Sequence, residues 1–561
     1  MATGVMVPGP DVGTTTSAQR KVIVASTLGT AFSWYDFNLF AALSPVLGQH
    51  FFPDADDNTD LVFALLAFSA GFIVRPLGAV IFGRLGDAIG RKFAFLISML
   101  TMGLATFGVG VLPSYDTIGL AAPILLIGLR LLQGLALGGE YGGAVIYVAE
   151  HAPPERRGAF TAWVQTTATL GLVLSLLVTL AIRIAVGEAQ FAAWGWRIPF
   201  LLSVFLLAVS AWMRVSLQES PLFTRMAAEG ELSKAPITQA FGQWSNLKRV
   251  LLALFGLVTG FGVIWYAAQV YVLLFLTQTL KVDGATATAL VIVPLCLAVP
   301  LFLLFGWLSD RIGRKWLIVS GLLLASMSLF PVFRALTHYA NPQLEAALKA
   351  APVVVIADPN DCQFQFNPTG TKRFTSSCDI AKQKLVSASV NFRTEPAPPG
   401  TLAQVKVGAH VLASFDAANL PPEEAQARDQ QFTRDLDAAI RAAGYPTKAD
   451  PAQINTGMVM LLVFVPVFCL TMAYGPVAAM LVELFPARIR YCSISLPYHI
   501  GTSWFGGLVP SIGFALVAYA GDIYSGLWFP VVIALSSVVI AALFLRGRTR
   551  VERLSRTLAD R

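Results

Sequence analysis

Long apolar runs separated by short polar loops are the main pattern of the chain. Windows of about 20 apolar residues, the length that crosses ~30 Å of hydrocarbon, begin near Val22, Leu61, Phe93, Ala121, Phe160, Trp196, Val250, Ala287, Trp316, Gly457, Tyr491 and Tyr524. The pattern therefore predicts about twelve transmembrane helices. The first run contains Asp36 and is too long for the apolar core of a signal peptide, so we expect the first helix to be retained after a polar tail at residues 1–20.

Composition supports a membrane protein. Of the 561 residues, 55% are hydrophobic and 13% are charged, and the mean hydropathy is +0.65. Soluble domains carry about a quarter of charged residues, so a soluble or disordered class is excluded. The net charge of +7 comes from short basic clusters between apolar runs and not from one patch, so it predicts membrane orientation and no nucleic-acid partner.

Orientation follows from these clusters, because Lys and Arg favour cytoplasmic loops. Basic residues occupy alternate loops, at positions 20–21, 84–92, 156–157, 248–249, 311–315, 488–490 and 546–550. The loops at 46–60 and 112–120 contain no Lys or Arg. We therefore expect both termini in the cytoplasm and the long non-spanning segment 336–455 outside it.

An internal repeat divides the chain into two halves. The ten residues Gly83–Lys92 share Gly, Leu, Asp, Ile, Gly, Arg and Lys with Gly306–Lys315, and each copy follows the second span of a six-span half. Two such bundles around a central cavity are a transporter architecture. The predicted divisions are the N-terminal half at 21–214, a cytoplasmic linker at 215–249, the C-terminal half at 250–335 and 456–546, the insertion at 336–455, and a tail at 547–561.

These repeated loops resemble the signature of the major facilitator superfamily. Narrower motifs look like its metabolite:proton symporter family, and they are Trp34–Phe37, Arg75–Gly78, Arg130 with Gln133-Gly134, Gly138–Glu140, Glu150 before Arg156–Gly158, and Glu219–Phe223. Members of that family move proline and betaine, 2-oxoglutarate, citrate or shikimate. The resemblance implies a small-molecule substrate and a proton as the coupling ion. The sequence contains no catalytic constellation, so we expect no enzymatic activity and no cofactor, and we expect a monomer in the lipid bilayer of the inner (plasma) membrane.

Four ionisable residues fall inside predicted spans, where a charge costs at least ~2.5–3.5 kcal/mol and needs a partner or a wet cavity. Helix rise places Asp36 at the depth of Arg130, and Arg75 at the depth of Glu140. Asp36 with Arg130 is either the proton-coupling site or a static ion pair. Arg75 with Glu140 is either a static pair or a gate element, and either arginine could hold an anionic substrate.

The repeated loops predict a cytoplasmic gate. Asp87 and Asp310 end helices, where they can accept backbone N–H groups and pair with Arg91 and Arg314. Glu150 with Arg156 and Arg157 extends this gate. The alternative is that the basic residues only anchor the membrane topology.

The C-terminal half has few charges, so its binding candidates are aromatic or amide side chains. Together with Tyr35 of the first half, the selected residues are Tyr266, Gln269, Tyr498 and His499; Trp265, Tyr271, Tyr474 and Trp504 are further possibilities. Aromatic residues in membrane helices can instead serve packing. His499 stands where the family usually has Asn, and it could titrate or only bond a neighbouring helix.

The insertion predicts a small α+β domain. Residues 352–357, 384–392 and 404–411 are expected as strands, and 422–443 as an amphipathic helix. Cys362 and Cys378 flank a stretch expected to turn at residues 367–370, so we predict a disulfide between them outside the cytoplasm.

The fold class predicted is thus an all-α polytopic protein with twelve helices in two pseudo-symmetric halves and an α+β insertion between helices 9 and 10. The predicted function is proton-coupled symport of a small metabolite by alternating access. An organic acid is favoured because Arg75 and Arg130 are two intramembrane cations. The alternatives are a zwitterion symporter of the proline or betaine kind, and a receptor that uses the insertion.

Overall fold

The computed structural model describes residues 17–52, 71–215, 218–366 and 374–545. Ten helices in these ranges are long and apolar enough to cross a membrane, and the two first long helices of the chain precede them. The twelve are labelled α1 (Ser17–Ala42), α2 (Arg75–Ala88), α3 (Arg91–Val111), α4 (Ala121–His151), α5 (Pro154–Val186), α6 (Arg197–Val215), α7 (Trp244–Thr279), α8 (Gly284–Ile312), α9 (Arg314–Ala340), α10 (Thr456–Leu484), α11 (Ala487–Ala520) and α12 (Ser525–Phe544). The start of the second predicted span lies outside the described residues.

The helices form two six-helix halves, α1–α6 and α7–α12, that meet along two pairs of helices. Helix α5 packs on α8, and α2 packs on α11. Within the first half, glycines allow α2 and α4 to touch: a Cβ at Gly78 would lie 1.9 Å from the Leu135 carbonyl oxygen, and one at Gly138 would lie 2.4 Å from that of Arg75. The glycines of α2 and α4 therefore permit close packing of the two helices.

Two helices of the second half are locally widened. Helix α7 contains π-helical turns at Leu254–Val258, Ala267–Tyr271 and Phe275–Thr279, and α11 contains one at Ile500–Gly506. Such turns re-aim side chains and recur at functional sites. Both helices contribute side chains to the centre of the molecule.

The insertion is an α+β domain. Its four strands, β1 (Val353–Ala357), β2 (Phe392–Pro396), β3 (Gln404–Val407) and β4 (His410–Ala413), form one sheet in the order β2-β1-β3-β4. Strand β1 pairs in parallel with β2 and antiparallel with β3. Helices Pro342–Ala350, Ser377–Ser387 and Pro422–Ala442 complete the domain.

The strand prediction for 384–392 is wrong for most of its length. Residues up to Ser387 belong to a helix that the Ser376 side chain caps at its N-terminus, and strand β2 begins only at Phe392. The strand expected at 404–411 is a hairpin that turns between Val407 and His410. Cys362 and Cys378 are joined by a disulfide, whereas the turn expected at 367–370 lies outside the described residues.

The domain is attached to the second half at the end opposite the repeated loops. Lys281 after α7 donates to the Ser387 carbonyl over 2.6 Å, and the Phe392 amide donates to the Gly521 carbonyl between α11 and α12 over 2.8 Å. Gly521 has φ +75° and a Cβ there would lie 2.0 Å from the Phe392 carbonyl oxygen, so glycine permits this contact. Between described residues, all hydrogen bonds from the domain to the helices reach α7–α12 or their loops.

Candidate functional site

A narrow aromatic cavity lies between the two halves. Its walls are formed by side chains of α1, α5, α7, α10 and α11, namely Trp34, Ala168, Phe261, Gly262, Trp265, Tyr266, Tyr474, Tyr498 and Thr502. The sequence predicts Tyr266 and Tyr498 as binding residues, whereas it indicates Trp34 only as part of the family motif Trp34–Phe37.

Tyrosines connect the halves beneath this cavity. The rings of Tyr141 and Tyr498 stack with centroids 3.5 Å apart, and the Tyr474 and Tyr498 hydroxyls lie 2.8 Å apart. Gln165 of α5 accepts a hydrogen bond from Tyr141 and donates one to the Tyr474 carbonyl oxygen. The arrangement ties α4 and α5 to α10 and α11 through neutral groups.

Arg75 lies beside the cavity at the start of α2 and is fully buried. Its guanidinium stacks on Phe37, 3.9 Å from the ring centroid, and on Phe72 at 4.4 Å. The Ser503 hydroxyl on α11 is 3.5 Å from Nη1, and Nε and Nη2 have no hydrogen-bond partner among the described residues. No carboxylate of the described chain forms an ion pair with Arg75.

The predicted ion pair between Asp36 and Arg130 is not present. Asp36 lies beside Thr106, whose hydroxyl accepts from Gln133 over 2.8 Å, and Gln133 accepts from Arg130 over 3.0 Å. The two charges are therefore linked through two neutral side chains. Helical depth was matched correctly, but depth alone does not specify which faces of α1 and α4 meet. Asp36 Oδ1 is buried without a hydrogen-bond partner in the described part of the chain.

The predicted pair of Arg75 with Glu140 is also wrong. Glu140 is bound by Arg214 of α6 over 2.9 Å and accepts from Thr30 and Ser98. Arg214 stacks on Phe95 at 3.5 Å. Because this network satisfies Glu140 inside the first half, Arg75 remains available at the interface, and Glu140 is not part of the gate contacts.

Several predicted binding residues point elsewhere. The Tyr35 hydroxyl donates to the Pro199 carbonyl oxygen over 2.8 Å, within the first half. Gln269 accepts from Thr169 over 3.2 Å and so joins α7 to α5 beyond the cavity wall. Tyr271 packs on Phe333, and Trp504 is 45% exposed on the outside of the bundle. Apolar helices give little sequence signal for which face points inward.

His499 precedes the π-helical turn of α11. Its side chain is 1% exposed, and its ring meets that of Tyr498 edge-to-face with centroids 5.2 Å apart. Neither ring nitrogen has a hydrogen-bond partner among residues that the structure describes. Arg75 is close enough to interact with it electrostatically.

The first repeated loop closes one end of the interface. Asp87 pairs with Arg91 over 2.5 Å and accepts from the backbone amides of Tyr491 and Cys492, at 3.2 and 3.0 Å, at the start of the regular part of α11. Arg91 also donates to the Ala487 carbonyl oxygen. One half thus caps a helix of the other.

The second repeated loop makes the same contact in the opposite direction. Asp310 pairs with Arg314 over 2.9 Å and accepts from the amides of Gly158 and Ala159 at 2.8 Å each, at the start of α5. Arg314 is also bonded to Glu483 of α10. The predicted pairs within each loop are thus present, and the sequence did not indicate which helices they would cap.

Glu150, which we expected to extend the gate together with Arg156 and Arg157, forms its described ion pairs with other arginines. Glu150 binds Arg490 of α11 over 2.9 Å, accepts from Ser220, and lies 3.9 Å from Arg91. Arg157 Nε has no hydrogen-bond partner in the described ranges. The partners that sequence reasoning missed, Arg490, Glu483 and Arg214, all lie far along the chain from the residues they bind.

The chain is similar in sequence to known transporters over more than half of its length. Residues 21–250 match a family model described as sugar (and other) transporter. The proline/betaine transporter of Escherichia coli K12 is 36% identical over 325 residues, 56% of this chain and 64% of that protein, so the match spans less than two thirds of this relative. The shikimate transporter of Escherichia coli K12 is 37% identical over 340 residues, 58% of this chain and 75% of that protein.

Solved structures match nearly the whole chain. A proton:xylose symporter of the major facilitator superfamily, bound to 6-bromo-6-deoxy-D-glucose, aligns with a TM-score of 0.61 over 96% of this chain and 99% of its own, at 16% identity. The xylose transporter of E. coli in a partially occluded inward-open conformation gives 0.56 at 14% identity, over 95% and 99%. The likeness confirms the predicted fold of two six-helix halves.

Proposed function

The chain belongs to the major facilitator superfamily of membrane transporters, and from this premise we propose that it is a proton-coupled symporter of a small organic carboxylate. Transport proceeds by alternating access across the cytoplasmic membrane, with both termini inside and residues 336–455 outside. The substrate occupies the aromatic cavity and the space between it and Arg75.

The observation that carries the proposal is Arg75. A buried cation without a carboxylate partner is costly in a membrane protein, and it marks a ligand or ion pathway. Glu140, which depth alone would assign to it, is already neutralised by Arg214. A substrate carboxylate is the counter-ion that the interface lacks, and guanidinium geometry suits it.

Asp36 is proposed as the proton carrier. It is 5% exposed and one oxygen has no partner among the described residues, so either protonation state leaves it without a fixed ion pair. The polar chain through Thr106 and Gln133 connects it to Arg130. Protonation of Asp36 therefore changes the electrostatic environment of Arg130 through this polar chain.

The two repeated loops act as the cytoplasmic gate. Asp87 and Asp310 each hold a helix of the opposite half by two backbone N–H groups, so opening that end breaks four charge-assisted hydrogen bonds. Releasing them together with the Glu150–Arg490 ion pair separates the halves there.

A zwitterion of the betaine kind is the second candidate, and the aromatic walls favour it. Six of the nine lining residues are Trp, Tyr or Phe, and aromatic faces attract quaternary ammonium groups. Its carboxylate would still need Arg75, so the two candidates share one anchor and differ in the rest of the ligand.

Uptake by the full-length protein in proteoliposomes tests both. A panel of radiolabelled monocarboxylates, dicarboxylates and glycine betaine is added outside vesicles that carry an imposed inward proton gradient. Accumulation of a carboxylate that collapses with a protonophore supports the proposal, and betaine accumulation alone favours the zwitterion. Uptake that is insensitive to both Arg75→Gln and the protonophore contradicts it.

A further inference from the structure

The contact between α2 and α11 brings two buried polar side chains together beside the cavity, next to its lining residues Trp34 and Tyr498. Arg75 comes from the first half and His499 from the second, and both are buried. Ser503, one turn after His499, lies 3.5 Å from Arg75 Nη1, which fixes the two helices at this point. The four nitrogens Arg75 Nε and Nη2 and His499 Nδ1 and Nε2 form no hydrogen bond of normal geometry with the described part of the chain, although Tyr266 lies near Arg75 and the Gly138 backbone lies near His499.

The imidazole is the neutral form in this setting. A second positive charge beside a guanidinium that no carboxylate neutralises would add Coulomb repulsion in a medium that solvates charge poorly. No Asp or Glu of the described residues forms an ion pair with His499. A neutral imidazole offers one N–H donor and one acceptor nitrogen. Leaving both groups without a hydrogen bond in a buried site is costly.

A hydroxyl is the small neutral group that can both donate to and accept from an imidazole. A carboxylate offers only acceptors, and a quaternary ammonium offers neither donor nor acceptor. Of the two unsatisfied groups, Arg75 therefore suits a carboxylate and His499 suits a hydroxyl.

Resting on the proposed role of Arg75, we propose that His499 binds a substrate hydroxyl and that the substrate is a hydroxy acid. The carboxylate binds α2 of one half and the hydroxyl binds α11 of the other. The substrate thus bridges the halves, and its site is complete only while they are apposed.

Matched ligand pairs test this on the purified full-length protein. Binding is measured by thermal stabilisation for L-lactate and propionate, L-malate and succinate, and shikimate and cyclohexene-1-carboxylate. A site built to hydrogen-bond a hydroxyl rejects the analogue that lacks it, so at least one hydroxy member should bind at least about 10-fold more tightly than its deoxy partner.

Variants separate this inference from the proposed function. His499→Ala should lower the affinity for the hydroxy member to that of its partner and leave the partner unchanged, and His499→Asn, which keeps a donor and an acceptor, should retain part of the preference. Trp504→Phe, an exposed neighbour on the same helix, is the matched control. Arg75→Gln should weaken both members of each pair equally.

Three results would overturn the inference. They are equal binding of both members in every pair, a preference that His499→Ala leaves intact, and no binding by any hydroxy acid of the panel. If carboxylate binding depends on Arg75 but not on hydroxylation, the His499 inference fails and the proposed function stands. If Arg75→Gln changes nothing, the proposed function fails as well.

Discussion

The two halves place different chemistry around their interface. The first half supplies the intramembrane charges, with Asp36 and Arg130 joined through a polar chain and Arg75 at the interface. The second half supplies rings and hydroxyls, from Phe261 to Thr502. The fold is pseudo-symmetric, but the chemistry is not, which teaches that energy coupling and substrate shape can be assigned to different bundles.

The gate behaves in the opposite way. Asp87 and Asp310 occupy equivalent positions of the repeat, and each accepts two backbone N–H groups from a helix of the other half. Symmetry is thus kept at the proposed gate and is lost at the proposed binding site.

The largest expected effect tests whether the proton belongs to the first half. Asp36→Asn should abolish gradient-driven accumulation, because an amide cannot carry the proton, while substrate counterflow remains. Uptake and counterflow in the same proteoliposomes give the measurement, and Asp116→Asn at an exposed position is the control. Undiminished accumulation would show that the proton is carried elsewhere.

The next effect concerns the outer domain, which only the second half carries. The Cys362–Cys378 bond closes a loop with a sequence separation of 16, and in the chain-entropy model such a closure stabilises a domain by roughly 3 kcal/mol. Replacing both cysteines by Ser should speed amide hydrogen exchange in β1. Cys469→Ser within α10 should leave it unchanged.

Peptide mass spectrometry of the unreduced protein checks the bond itself. Alkylation of both Cys362 and Cys378 without prior reduction would contradict it. Labelling of these thiols only from the cytoplasmic side would contradict the proposed orientation as well.

The third effect tests the symmetry of the gate. Asp87→Asn should favour opening of the repeat-loop end by roughly 1.5–3 kcal/mol, the range for hydrogen bonds to charged groups, since buried Arg91 would keep only the longer contact to Glu150 at 3.9 Å. Asp310→Asn should act in the same direction but less, because Arg314 keeps Glu483.

Distances between spin labels at the exposed residues Ala88 and Arg311 report this opening. Arg84→Gln, an exposed charge in the same loop, serves as the control. Equal populations in the wild type and both aspartate variants would remove the gate assignment.

The smallest effect tests the aromatic wall. Tyr498→Phe removes the 2.8 Å contact with the Tyr474 hydroxyl but keeps the stacking on Tyr141. A neutral hydrogen bond contributes about 1 kcal/mol, so the KM for uptake should rise about 5-fold with little change in kcat. Tyr271→Phe, away from the cavity, should leave KM unchanged, and a matching rise there would show that the effect is not local.

Periodicity and loop charge were enough to predict the helices, the repeat and the fold. The partners of buried charges could not be predicted, because helix rise fixes the depth of Glu140 but not its rotation towards Arg214 on α6. The partners of the gate residues could not be predicted for a related reason, since Arg490 lies 340 residues from Glu150 along the chain. In the insertion, the apolar stretch ending at Phe392 is compatible with a strand or a helix. The Ser376 side chain caps the helix N-terminus and so favours the helix.

The attachment of the outer domain to Lys281 and Gly521 has a mechanical consequence. Because its hydrogen bonds to the helices, among described residues, all reach the second half, the domain behaves as a lever arm fixed to that bundle. A small rotation of the bundle sweeps the far side of the lever through a larger arc. A fluorophore placed on the solvent-facing side of helix Pro422–Ala442 would thus move farther than the bundle itself in each transport cycle, and this displacement could be followed on single molecules.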